Sequence, residues 1–93
     1  MQNYNKVEIK DGYIYYKLND KLHRTDGPAM IIYYPDGTLS SEDCYIIGKH
    51  HRTDGPAMIF YNKDGSIQSE HYYLNGEQVL KESIINIAVG KNE

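Results

Sequence analysis

The sequence predicts an all-β fold: a single antiparallel meander of about six strands, built from tandem 28-residue hairpin repeats and closed by a short C-terminal helix. Three observations lead there. The string His23-Arg24-Thr25-Asp26-Gly27-Pro28-Ala29-Met30-Ile31 returns as His51-Arg52-Thr53-Asp54-Gly55-Pro56-Ala57-Met58-Ile59, displaced by 28 positions. Turn signals, mostly Asp-Gly or Asn-Gly pairs, recur at intervals of roughly 8–15 residues, and no helical periodicity shows before residue 77. Ten tyrosines and eleven isoleucines stand against one phenylalanine and no tryptophan, and branched or aromatic side chains suit a pleated, half-buried surface.

The repeat extends well beyond the nine-residue string. Aligning 23–50 with 51–78 makes sixteen of 28 pairs identical, among them Tyr33 with Tyr61, Asp36-Gly37 with Asp64-Gly65, Tyr45 with Tyr73 and Gly48 with Gly76. Residues 4–22 read as a degenerate first copy, with Asp11-Gly12, Tyr16, Leu18 and Asn19-Asp20 in the second half of a unit shortened by three residues. The organisation is then one domain over 1–93: an N-terminal hairpin at 4–22, repeat 1 at 23–50, repeat 2 at 51–78 and a cap at 79–93.

Taken in order, Tyr4–Lys10 should pair with Tyr13–Leu18 across Asp11-Gly12. Pro28 opens the next strand, where a missing N–H is tolerated, and the strand runs to Tyr34. Asp36-Gly37 turns it, because glycine supplies the positive φ that a tight hairpin needs. Thr38–Ile47 returns, and Gly48-Lys49 turns again. The second unit repeats this through Pro56–Tyr61, Asp64-Gly65, Ser66–Leu74 and Asn75-Gly76. In the tail, Leu80, Ile84, Ile87 and Ala88 lie on one helical face and Gly90 stands at a C-cap position. Ile85, Ile87 and Val89 also alternate as a strand would, but the helical reading is preferred, since terminal units of an array must shield its edge.

Composition removes several functions. Ninety-three residues make one small domain, for which burial is limited. A net charge of −3 offers no basic field for nucleic acid or an anionic membrane. One cysteine, Cys44, cannot close an internal disulfide and suits a reducing compartment, so the cytoplasm is expected. The first six residues hold no apolar stretch of signal-peptide length, and no window approaches 18 apolar residues. Neither secretion by the usual signal nor membrane spanning is expected.

His, Arg, Thr and Asp within four residues invite a chemical reading, with His23/Asp26 or His51/Asp54 as metal ligands or an acid–base pair. Duplication argues against it. Equivalent residues one two-stranded unit apart lie about 9–10 Å from each other, and a reactive site is usually unique. A structural reading fits every copy, and a ligand bound in the groove between units is the lesser alternative. Asp26 and Asp54 close turns, Gly27 and Gly55 take special backbone conformations, and Pro28 and Pro56 launch strands. Arg24 and Arg52, the only arginines, pair with an aspartate in their own or a neighbouring unit. His23 and His51 are expected to stack as a ladder along the sheet. No catalytic residue, metal or cofactor is expected.

The pattern Tyr-x-x-Asp-Gly, then Glu-x-x-Tyr-x-x-Asn/Gly-Gly, then His-Arg-x-Asp-Gly-Pro-Ala resembles the MORN-type repeats, in the longer variant with the Asp-Gly-Pro-Ala signature. The resemblance covers about residues 11–78 and is most specific over His23–Met30 and His51–Met58. That variant is frequent in phage and giant-virus proteins, and related bacterial arrays are catalogued as antitoxins. It implies a single-layer sheet of hairpins used as a binding scaffold, with no catalytic residues to carry over.

A single sheet has two faces, and one helix of about ten residues, near 15 Å long, covers part of one. Strand alternation sets Met30/Ile32 and Met58/Phe60 against Ala29/Ile31/Tyr33 and Ala57/Ile59/Tyr61. Tyr16/Leu18, Cys44/Ile46 and Tyr72/Leu74 share a face, while Asp43/Tyr45/Ile47 and His71/Tyr73 share the other. Tyrosine-rich exposed surfaces favour protein contact, so Tyr15, Asp43, Tyr45, Ile47, His71 and Tyr73 are the candidate partner-binding residues. The expected activity is non-catalytic protein binding by steric occlusion. The resemblance suggests a phage-encoded inhibitor of a host defence enzyme, an anti-CRISPR or similar anti-defence protein. The partner is a protein target or a second copy of the chain in a homodimer. Two alternatives remain open: an antitoxin-like neutraliser of a toxin protein, and a metal-dependent hydrolase using His23, His50, His51 and the aspartates.

Overall fold

The computed structural model describes residues 3–90. It is an all-β antiparallel meander followed by one helix. The elements are β1 (Lys6–Lys10), β2 (Tyr13–Leu18), β3 (Lys21–Leu22), β4 (Met30–Tyr33), β5 (Leu39–Asp43), β6 (Tyr45–Ile46), β7 (Lys49–His50), β8 (Met58–Tyr61), β9 (Ile67–Leu74), β10 (Glu77–Val79) and α1 (Lys81–Gly90). The main sheet runs β1-β2-β4-β5-β8-β9-β10, with β3 attached to β2; β6 and β7 form a two-stranded sheet of their own. The molecule is a slab of 45 × 34 × 21 Å, and among the described residues no helix is long and apolar enough to cross a membrane.

Ten strands replace the expected six because each unit makes two hairpins, one long and one short. The long hairpins turn at Tyr34–Thr38 and Asn62–Ser66. Tyr34 N–H donates to the Thr38 carbonyl and Gly37 N–H to the Tyr34 carbonyl, with the same pair of bonds in Asn62/Ser66 and Gly65/Asn62. Gly37 and Gly65 both stand at φ 90°. This is a type I turn closed by a left-handed residue, and it shifts the register by one residue after Ile32 and after Phe60. The Asp36 and Asp64 carboxylates fix these turns by accepting from the N–H and hydroxyl of Thr38 and Ser66.

The short hairpins recur with the repeat. Lys17↔Leu22, Tyr45↔His50 and Tyr73↔Gln78 are paired in register, each 28 residues from the next. Their two-residue turns have positive φ at both centres: Asn19 50° and Asp20 70°, Ile47 47° and Gly48 79°, Asn75 51° and Gly76 86°. That is the type I′ signature, whose twist matches that of paired strands. The turn expected at Gly48-Lys49 therefore sits one residue earlier. Each short hairpin docks on the previous one, with Gly48 N–H donating to the Leu22 carbonyl and Gly76 N–H to the His50 carbonyl, both at 2.8 Å. The expected return strand Thr38–Ile47 is accordingly broken at Cys44, which keeps one ladder bond to the Ala57 carbonyl.

Register confirms the alternation. Met30, Asp43, Met58 and His71 lie in one row across β4, β5, β8 and β9, with Ile32, Ser41, Phe60 and Ser69 in the next; Ile31, Glu42, Ile59 and Glu70 point the other way. The core is thin: Ala29, Ala57 and Ile84 are buried, with His23, Ser41 and Asp43 as buried polar residues. The tail is helical, but its apolar face is only partly used. Ile84 is buried, whereas Leu80, just ahead of the helix, is 73% exposed and Ile85 and Ile87 are exposed. The packing of Ala88 falls outside the described residues, and Gly90, expected at the C-cap, is the last residue of the helix described.

Candidate interaction surfaces

The duplicated string builds the same loop twice. In the first, Arg24 Nε donates to Asp26 Oδ1 at 2.9 Å and a guanidinium nitrogen donates to the Pro28 carbonyl at 3.3 Å. In the second, Arg52 makes the same bonds to Asp54 and Pro56 at 2.8 and 3.2 Å. The arginine thus pairs within its own unit and wraps the loop around its glycine. Gly27 and Gly55 do not take the special backbone conformation expected of them, since neither has a positive φ; a Cβ at either would stand 2.9 Å from the guanidinium carbon and push the arginine aside.

His23 and His51 do not form the expected ladder. Each ring instead accepts a backbone N–H at 3.0 Å from the next short turn, Ile47 to His23 Nδ1 and Asn75 to His51 Nδ1. These bonds tie consecutive units together, as do Arg24 N–H to the Tyr45 carbonyl and Arg52 N–H to the Tyr73 carbonyl. Nδ1 is committed in both rings, and Asp26 and Asp54 face arginine. Among the described residues no group of three or more His, Cys, Asp or Glu is placed to hold a metal ion.

The stacking role falls to His50. Its ring lies 4.1 Å from Tyr45 and 5.0 Å from Tyr73, centroid to centroid, with interplanar angles of 33° and 31°. These three residues form a half-buried aromatic ledge along the stacked short hairpins. Burial lowers the His50 pKa, and Nε2 has no hydrogen-bond partner among the described residues, so the ring is held neutral. Burial also raises the Tyr45 phenol, assisted by Asp43 and Tyr73. Beside the ledge, Ile47 is 48% exposed at the tip of its turn.

The other candidate partner-binding residues, Tyr15, Asp43 and His71, lie in one row across the main sheet, alternating with Met30 and Met58. Tyr15 stacks on Tyr13 at 5.8 Å beneath the Lys17 ammonium, which pairs with Glu8 at 2.7 Å. His71 stands edge-on to Phe60 at 5.7 Å and contacts Ser69. Asp43 is only 4% exposed; Oδ1 and the neighbouring Ser41 Oγ have no partner among the described residues. Desolvation pushes the Asp43 carboxyl up to about 6. It is a buried acid in an apolar row, so the structure brings Tyr45, Tyr73 and Ile47 together and leaves Asp43 beneath the surface.

A second surface lies between units, where the duplicated motif had left room for a ligand as its lesser reading. Between the two arginine loops lies a groove of about 550 Å³, floored by Glu42, Cys44 and Ile46 and walled by residues 24–28 and 51–54. Its floor residues alternate with Ser41, Asp43 and Tyr45, so the groove opens on the face opposite the ledge. Arg24 lies 4.0 Å above the Tyr16 ring, and Tyr16 packs edge-on against Tyr4 at 4.8 Å. The residue equivalent to Tyr16 one unit later is Cys44. The sequence held that signal, in the triplet Tyr16, Cys44, Tyr72 at 28-residue spacing, but nothing in it shows that the arginine rests there. Burial raises the Cys44 thiol despite the nearby Arg52, so it stays protonated.

Comparison with family models, curated proteins and solved structures finds no match.

Proposed function

We propose that this protein is a non-catalytic binding module whose aromatic ledge docks a partner protein and occludes part of it. The observation that carries the reading is the Tyr45–His50–Tyr73 stack flanked by an exposed isoleucine in a left-handed conformation. A β-branched residue at φ 47° is unfavourable, and equivalent turns use Asn19 and Asn75. Strain held at an exposed apolar tip beside stacked aromatics fits a contact surface better than a packing need. The loops have a structural account in the bonds that join the units, which leaves the displayed side chains free for contact. The target class rests on the resemblance alone: a host defence enzyme inhibited by a phage-encoded chain, within the bacterial cytoplasm.

The test is affinity capture from a bacterial lysate followed by reconstitution with the recovered protein. Wild type should form a stoichiometric complex that blocks the target's activity, and Tyr73→Ala and Ile47→Asp should each weaken it at least tenfold. A chain that sediments as a strict monomer at high micromolar concentration and recovers no target overturns the reading. So does a complex indifferent to both substitutions.

A further inference from the structure

The groove between the arginine loops goes beyond the ledge reading, since it lies on the opposite face and has its own internal precedent. In the first loop, the side of Arg24 not engaged by Asp26 and Pro28 rests on a tyrosine ring. In the second, the polar bonds of Arg52 are unchanged but Cys44 stands in the ring's place. The consequence is visible in the arginines: the Arg24 side chain is 20% exposed and that of Arg52 is 36% exposed. The volume opened is in the range that holds small ligands.

The charges lining the groove are already matched. Arg24 pairs with Asp26 and Arg52 with Asp54, and the Glu42 carboxylate accepts the Tyr61 hydroxyl at 2.6 Å. An anionic ligand would find both cations engaged and three carboxylates nearby. What Arg52 still offers is the face of its guanidinium, which attracts the negative face of an aromatic ring. We propose that this groove binds a neutral aromatic ring, the phenol of a partner's tyrosine side chain, seated against Arg52 as Tyr16 is seated against Arg24. A nucleobase has a ring too, but the phosphates that carry it would meet Asp26, Glu42 and Asp54 without a cation to spare.

The test needs no identified partner. The intact chain is titrated with p-cresol and with N-acetyl-tyrosinamide while its amide and arginine Nε–H signals are followed by NMR. Saturable shifts should centre on Arg52 Nε–H and the Cys44 and Thr53 amides, with affinity on the order of millimolar. Cys44→Tyr, which supplies the ring in cis, should weaken binding at least tenfold. Cys44→Leu, a smaller filling, keeps the test open if the tyrosine variant does not fold, and should weaken it several-fold. Shifts that do not saturate, or that persist unchanged in the filled variants, overturn the proposal. A short oligothymidylate that competes as well as the tyrosine amide overturns the assignment to a protein side chain. Loss of ledge binding leaves these outcomes untouched, so the two readings fail separately.

Discussion

The two arginine loops are the same object set on different floors. Their bonds agree to within 0.1 Å, at 2.9 and 3.3 Å in the first against 2.8 and 3.2 Å in the second. Each contributes one histidine to bind the next turn and one alanine to the core. Beneath the first lies Tyr16; beneath the second lies Cys44 and an open groove. The comparison separates two kinds of position. The duplicated string fixes how units join, and the positions that differ between units, Tyr16 against Cys44 among them, decide what lies beneath each loop.

The largest expected effect concerns the row Tyr15, Asp43, His71, equivalent positions in successive units. Asp43 alone places an acid in an apolar row, between Met30 and Met58. Its folded pKa, about 6, stands above the ordinary aspartate value near 3.9. The native state therefore binds the proton more tightly than the unfolded chain, and stability is greatest below about pH 4. It falls as the pH rises through 6 and levels off above. Asp43→Asn should stabilise the fold by about 3 kcal/mol at pH 7.5 and by almost nothing at pH 4. Urea unfolding at the two pH values measures this. Equal stability of the variant and wild type at pH 7.5 would show that Asp43 is solvated.

Next in size are the arginines themselves. Arg24→Gln removes the charged bond to Asp26, the bond to the Pro28 carbonyl and the ring contact, and should cost about 1.5 kcal/mol. Arg52→Gln removes the equivalent two polar bonds but no ring contact, from a more exposed side chain, and should cost about half as much. Equal costs would mean that the Tyr16 ring contributes nothing and that the two loops do not differ energetically.

Much of this was legible in the sequence, for reasons that can be stated. The repeat, the strand alternation, the long turns at Asp36-Gly37 and Asp64-Gly65 and the helical tail are local patterns, carried by residues near in the chain. Pairing of each arginine with its own aspartate follows from a spacing of two. The short hairpins were not legible in the middle unit, because Ile47 is a poor turn residue and hides a type I′ geometry that Asn75-Gly76 displays openly. The task of His23 was missed because its partner, the Ile47 N–H, lies 24 residues away. Burial of Asp43 depends on the strands that flank it, where Met30 and Met58 stand opposite, and no local pattern reports them.

Ile47 gives the third prediction, through its comparison with Asn19 and Asn75. Asparagine tolerates the left-handed region and isoleucine does not, so Ile47→Asn should stabilise the fold by about 1 kcal/mol in thermal or urea unfolding. A gain in stability joined to a loss of partner binding is the expected pairing if the turn is held strained for contact. No change in stability would show that the hairpin bears the isoleucine without strain.

The smallest effect is the one that would make the two loops alike. Cys44→Tyr puts a ring under Arg52 and should stabilise by about 0.5 kcal/mol, the value of a partly exposed cation–π contact. Its sign alone is weak evidence, since a larger side chain also buries more apolar surface. The coupling is sharper. If the ring acts through the guanidinium, Arg52→Gln should cost about 0.5 kcal/mol more beside Tyr at position 44 than beside Cys44, approaching the cost of Arg24→Gln. A double-mutant cycle in urea measures that difference directly. Additive effects would mean that the floor and the arginine are independent, and that the groove's shape, rather than its cation, distinguishes the second loop.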